Sequence, residues 1–190
     1  MDFWLWVCTS VVIWYSFWYI MRPKPGKTLM LILGSGGHTT EILRLIESWD
    51  GPIIGVHASN DQLSRTRFLC QYTGTTFDVF RSRNVGQSYF TSIFTTIYSF
   101  LPAFWIVFRT NPDLIITNGP GTALPICYSA FANKILTLHD VKIVFVESIC
   151  RTKTISLAGK LIYPITNEFY VQWEELREKY PKAKYLGLLA

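Results

Sequence analysis

Uninterrupted apolar runs of strand length recur along the chain, each followed by a glycine-bearing or polar break and a stretch of helical periodicity. Leu114-Ile115-Ile116-Thr117 and Ile143-Val144-Phe145-Val146 are two such runs. Strands with no polar alternation belong to a sheet covered on both faces. The pattern predicts strands near 28–33, 52–57, 75–80, 113–117, 142–146 and 168–171, and helices near 38–49, 60–71, 87–109, 121–137, 154–163 and 173–179. Regular alternation of the two gives an α/β fold, a Rossmann-like doubly wound parallel sheet with ligands at the carboxyl ends of its strands.

Two segments break that rhythm. Phe3 to Met21 holds nineteen positions without a charge, with Trp4, Trp6, Trp14 and Trp18 near its two ends. As a helix it spans roughly 28 Å, close to the hydrocarbon thickness of the endoplasmic reticulum bilayer. It lacks the positive start and small-residue cleavage site of a signal peptide, so a retained anchor is expected. Arg22, Lys24 and Lys27 follow at once, while Asp2 is the only side-chain charge ahead of it, which puts the rest of the chain in the cytosol. The second segment, Tyr89 to Phe108, is as apolar, but Thr, Ser and Pro102 interrupt it. It fits a core helix packed on the sheet, or a helix with one face on the sheet and one dipping into a bilayer surface.

The chain of 190 residues therefore divides into an anchor (1–22), a short Pro-Lys-Pro-Gly linker (23–27) and one domain (28–190). The formal charge of +5 comes from scattered basic residues with no nucleic-acid signature, and favours anionic membrane and phosphate-bearing ligands over nucleic acid. Cys8, Cys70, Cys127 and Cys150 are dispersed without a CxxC pair, and His38, His57 and His139 lie far apart. A reducing compartment and no metal site are expected.

The chemistry concentrates at strand ends. Thr28 to Leu33 runs into Gly34-Ser35-Gly36-Gly37-His38-Thr39, and an amphipathic helix leaves it. A strand–turn–helix of this kind aims backbone N–H groups and a helix dipole at one point, a place to hold a phosphate. A dinucleotide fingerprint would need glycine where Thr39 stands, and a P-loop would need Gly-Lys-Ser/Thr, so neither NAD nor Mg-ATP is indicated. His38 beside an anion site suits proton transfer near neutral pH; bonding to its own helix backbone is the plainer alternative.

A second glycine turn, Asn118-Gly119-Pro120-Gly121-Thr122, follows the run at 113–117, and the pair would wall a crevice. Arg81 and Arg83, within Arg81-Ser82-Arg83-Asn84-Val85-Gly86-Gln87-Ser88, suit a pyrophosphate clamp, or a solvated loop with its helix cap. Glu147 directly follows an apolar strand, a position for acid–base work or for sugar hydroxyls, with a helix N-cap region as its rival; Arg151 and Lys153 come just after. At the other end Leu186, Leu188 and Leu189 suit docking on another chain, or a last strand tucked into its own sheet.

Taken in order, GSGGHT-x-E, R-x-R-x-V-G-Q-S, P-D-L-x-x-x-N-G-P-G-T-x-x-P, V-E-S, Lys160-Leu161-Ile162-Tyr163-Pro164 and Tyr180-Pro181-Lys182-Ala183-Lys184-Tyr185-Leu186-Gly187 resemble the membrane-anchored subunits of the two-chain UDP-N-acetylglucosamine transferase of the dolichol pathway. Phe80 stands where the family pattern has proline. The resemblance implies the N-terminal half of a GT-B glycosyltransferase, with a separate soluble catalytic chain supplying the other half and most of the grip on UDP-GlcNAc. It also implies that the pair adds the second GlcNAc to GlcNAc-diphosphate-dolichol on the cytosolic face of the endoplasmic reticulum, with no further cofactor. Carried over, Gly34, Ser35, Gly36, Gly37 and His38 match the loop that faces the acceptor diphosphate, and Asn118, Gly119, Gly121 and Thr122 match the second glycine turn; Thr39, Arg81 and Arg83 join the expected phosphate site from their own chemistry. His38 or Glu147 assists deprotonation of the acceptor hydroxyl, and the C-terminal region recruits the partner. Two rivals remain: a non-catalytic membrane scaffold with all chemistry in the partner, and a stand-alone membrane-tethered nucleotide-binding enzyme.

Overall fold

The computed structural model describes residues 4, 6–12, 27–82 and 87–188. Most of the expected anchor and linker, together with Arg83 and Leu189, therefore lies outside the described residues. Residues 6–12 are helical, and Trp4, Trp6, Val11 and Val12 are all exposed.

The strands are β1 (Leu29–Ile32), β2 (Ile53–Ala58), β3 (Thr75–Val79), β4 (Leu114–Thr117), β5 (Lys142–Val146), β6 (Glu168–Val171) and β7 (Ala183–Tyr185). The helices are α1 (Gly37–Leu45), α2 (Gln62–Gln71), α3 (Tyr89–Thr110), α4 (Ala123–Thr137), α5 (Leu157–Ile162) and α6 (Glu174–Lys179), with a 3₁₀ turn at Tyr163–Ile165. One seven-stranded sheet runs β3-β2-β1-β4-β5-β6-β7, parallel at every pairing.

β1 shows why its run is apolar throughout. Leu29 and Leu31 pack into one core with Ile42 and Leu43 of α1 and Phe68 of α2. Met30 and Ile32 point the other way, into a core shared with Ala103, Ile106 and Val107 of α3 and with Ala123, Ile126 and Ala130 of α4. Helices on both faces make the sheet doubly wound, as the alternation of strands and helices requires.

The caps explain where several boundaries depart from those predicted. Asp61 accepts the N–H of Ser64, so α2 begins at Gln62. Ser156 accepts the N–H of Gly159, so the helix expected over 154–163 is only α5. β7 is an edge strand absent from the prediction: Ala183-Lys184-Tyr185 has no apolar run to announce it. The chain end thus does add a strand to its own sheet, yet Leu186 and Leu188 beyond it remain exposed.

α3 is continuous through Pro102, and its first half is inverted in polarity. Ser92 and Ser99 are buried, and Thr95 and Thr96 both reach the carbonyl of Ser82. Phe90 at 71%, Ile93, Phe94, Ile97, Tyr98 and Leu101 at 71% are exposed. Among the described residues, Phe90–Thr110 is the helix long and apolar enough to cross a membrane. Its second half nevertheless packs into the core through Ala103, Ile106 and Val107.

Candidate functional site: a crevice between two glycine turns

β1 and β4 are neighbours in the sheet, but the chain leaves them in opposite directions, β1 toward β2 and β4 toward β5. Their carboxyl ends therefore open a crevice, the usual ligand position in such sheets. The glycine turns occupy its two sides and touch. A Cβ on Gly34 would meet the Cβ of Pro120 at 2.7 Å and that of His38 at 2.9 Å. Gly36 begins α1 with φ of 69°, a left-handed conformation that favours glycine. Gly119 has φ of 90° and packs against Phe145.

Among the longer helices, a missing side-chain cap marks those that start at this crevice; the six-residue α6 also lacks one. Side chains of Asp61, Ser88 and Ser156 cap α2, α3 and α5. α1 and α4, which start at the two glycine turns, have no side-chain cap. At α4 the N–H groups of Ala123 and Leu124 turn back onto the Pro120 and Gly121 carbonyls, while the positive ends of both helix dipoles still face the crevice.

Side chains divide the crevice into two clefts that meet at His38. One, of about 210 Å³, is lined by Ser35, His38, Arg81, Gly121 and Thr122, among others. Arg81 reaches it from the end of β3, donating to Ser35 Oγ at 2.8 Å and to Asn60 Oδ1 at 3.4 Å. The hydroxyl of Thr122 is buried with no hydrogen-bond partner among the described residues. The other cleft, of about 450 Å³, is lined by Gly37, His38, Glu41, Glu147, Ser148 and Arg151, among others. Nδ1 of His38 is also buried and unpartnered among the described residues. The fold thus gathers Gly34, Ser35, His38, Arg81, Gly119, Gly121 and Thr122 from distant points in the sequence.

Three expected ligand-binding or catalytic side chains have hydrogen-bond partners within the domain. Thr39 is fully buried, and its hydroxyl bonds the Gly34 carbonyl and Ser64 Oγ, bracing the first turn from beneath. Asn118 directs its amide inward, to the His38 carbonyl at 2.8 Å and Glu41 Oε2 at 3.1 Å. Glu147 is only 1% exposed, and its Oε2 accepts from Ser156 N at 2.8 Å and Ser156 Oγ at 3.1 Å. Its Oε1 accepts from Ser148 N at 3.3 Å. Burial pushes the carboxyl above the usual carboxylate range, opposed by the bonds from Ser156 and Ser148 and by Arg151. Engaged at both oxygens, Glu147 staples the loop between β5 and α5 while lining the larger cleft. Among the described residues no group of three His, Cys, Asp or Glu side chains converges to hold a metal.

Glu41 escaped the sequence reading of the site. It accepts from Asn118 and, through Oε1, from Ser148 Oγ at 3.1 Å, so one carboxylate ties the loops after β4 and β5 to α1. The signal available was its place four residues after Gly37, one helical turn into the crevice side of α1.

The profile of the family described as "Oligosaccharide biosynthesis protein Alg14 like" matches residues 29–189. The UDP-N-acetylglucosamine transferase subunit ALG14 of Rattus norvegicus is 41% identical, over 94% of this chain and 92% of its own. Its counterpart in Mus musculus is 43% identical, over 88% of this chain and 85% of its own. Among solved structures, MurG of Acinetobacter baumannii superposes with a TM-score of 0.62 at 11% identity, over 86% of this chain and 46% of that one. The last likeness is one of fold.

Proposed function

The chain belongs to the Alg14 family, and from that premise we propose that it is the membrane-anchored, acceptor-binding subunit of a UDP-N-acetylglucosamine transferase. Its domain is the N-terminal half of a GT-B enzyme, a reading supported by the likeness to MurG over about half of that chain. A soluble partner subunit supplies the second half and holds most of UDP-GlcNAc. The acceptor is GlcNAc-diphosphate-dolichol, and the product carries the second GlcNAc of the N-glycan precursor. Residues 1–22 anchor the subunit in the endoplasmic reticulum membrane with the domain on the cytosolic face, and Leu186, Leu188 and Leu189 take part in docking the partner.

One observation carries the reading: the two helices that leave the glycine turns start without side-chain caps beside a cleft lined by His38, Arg81 and Thr122, where a parallel sheet binds ligands. The diphosphate lies against these N-termini with Arg81 and Ser35. The acceptor sugar lies on the Glu41 and Arg151 side. The acceptor 4-hydroxyl oxygen attacks the donor anomeric carbon from the face opposite UDP, and the new glycosidic bond forms with inversion. The bond from that carbon to the UDP oxygen breaks, and UDP leaves with the electron pair. The hydroxyl proton passes to His38, and the helix N-termini hold the diphosphate charge in place.

The test is GlcNAc transfer from UDP-GlcNAc to a GlcNAc-diphosphate-lipid by this chain with its soluble partner, comparing wild type with His38→Ala. A loss of about a hundredfold with the complex still co-purifying is expected. Unchanged turnover would leave the scaffold reading, with all chemistry in the partner.

A further inference from the structure

A third cavity continues the crevice on the side away from the sugar. It measures about 420 Å³ and is lined by Ser59, Asn60, Phe80, Arg81, Phe94, Thr95 and Tyr98. Arg81 lines both this cavity and the cleft between the glycine turns, as His38 lines both that cleft and the one before Glu41. The three spaces thus follow one another along the carboxyl edge of the sheet. Their chemistry changes in step: polar hydroxyl, carboxylate and guanidinium groups, then two helix N-termini with Arg81, then three aromatic rings.

The aromatic end is assembled from two elements. Phe80 follows β3, and its ring lies 4.7 Å from that of Tyr98 on α3, while Phe94 stacks edge-on with Phe90 at 5.7 Å one turn earlier. Phe80, Phe94 and Tyr98 are all exposed, so the cavity opens directly onto the outward apolar face of α3. An apolar groove with one cation at its inner end, joined to an anion site, is complementary to an amphiphile whose anionic head adjoins a hydrocarbon chain.

We infer that this cavity seats the first isoprene units of the acceptor lipid, next to the diphosphate, so that the subunit reads the tail as well as the head of its substrate. The inference rests on the acceptor-site reading above and adds a tail subsite to it. Branched, unsaturated isoprenoid fits between flat rings, whereas a tail that only lies in the bilayer makes no demand on Phe94 or Tyr98. Arg81 becomes the hinge between the two recognitions: its guanidinium faces the diphosphate and its stem borders the hydrocarbon.

The experiment uses the full chain with its soluble partner and two acceptors, GlcNAc-diphosphate-farnesyl and a GlcNAc-diphosphate bearing only a methyl group. Wild type prefers the farnesyl acceptor in kcat/KM, and Phe94→Ala or Tyr98→Ala lowers that preference at least tenfold. Both side chains are exposed, so truncation leaves the core intact. A preference unchanged in both variants overturns the tail subsite while transfer itself stands. Absence of transfer to either acceptor by wild type overturns the acceptor-site reading and this inference with it. As a second measurement, a diazirine-bearing farnesyl diphosphate irradiated with the full chain should label residues 80–98; label confined to other segments overturns the inference.

Discussion

Asn118 donates its side-chain amide to the main-chain carbonyl of His38 at 2.8 Å, so the residue that opens one glycine turn fixes the backbone of the other. The same amide bonds Glu41, whose second oxygen takes the Ser148 hydroxyl. Three strand ends are thereby locked together through one side chain on α1.

Asn118 is buried and its bonds are part-buried, so breaking the lock should cost more than a surface hydrogen bond. Asn118→Ala leaves the His38 carbonyl and Glu41 short of a donor and should destabilise the domain by about 1–3 kcal/mol in urea unfolding. Asn118→Asp sets a carboxylate against Glu41 and should be worse than alanine. An aspartate variant as stable as wild type would show that the lock carries little weight.

Gly34 owes its identity to the opposite turn rather than to its own backbone. Gly34→Ala drives a Cβ into Pro120 and His38 and should cost about 1–3 kcal/mol, with turnover of the complex reduced by displacement of His38. Adding Pro120→Gly should recover part of the loss, and a double-mutant cycle measures the coupling. Strict additivity would mean that the two turns do not press on each other.

Glu147 holds its proton more tightly in the folded state than in the unfolded chain, because burial raises its pKa. The native state then binds more protons between the ordinary carboxylate range and the raised value, so stability falls as pH climbs through that window and levels off above it. Glu147→Gln should flatten this slope in thermal unfolding followed against pH. Parallel slopes in the two proteins would mean that the bonds from Ser148 and Ser156 fully offset the burial.

The outward face of α3 should lie in lipid. With the exposed native cysteines replaced by serine, a nitroxide on Ile97→Cys or Leu101→Cys in reconstituted membranes should be relaxed by dissolved oxygen and shielded from an aqueous nickel reagent. The same label on Arg65→Cys of α2, which is exposed on the other side of the sheet, should behave in the reverse way. Water-like behaviour at both α3 positions would assign that face to a protein partner.

Much of this fold is visible in the chain because β1 is buried on both faces, and β4 and β5 are buried on one and half-buried on the other, so all three are apolar at nearly every position. Both glycine turns stand out for a similar reason, since a left-handed backbone at Gly36 and Gly119 leaves little choice of residue. The roles of Thr39, Asn118 and Glu147 did not stand out. Each is polar and sits at a strand end or helix start, and only its partners separate a brace from a ligand. Those partners are remote: Asn118 lies 77 residues from Glu41, and Ser148 lies 107 from it. β7 stayed hidden because its three residues inherit their conformation from β6 rather than from an apolar run of their own.

The inside-out polarity of α3 bears on how the protein is made and handled. With serines inward and aromatic rings outward, this helix gains nothing by turning over, because its polar side is already bonded to the domain. Among the described residues nothing covers its greasy side. Synthesis beside a membrane supplies that cover as soon as the helix forms; release into water would leave the same surface free to join copies of itself. Residues 28–190 cut free of the N-terminal apolar segment would therefore still carry this face, and covering it becomes a condition of the domain's solubility.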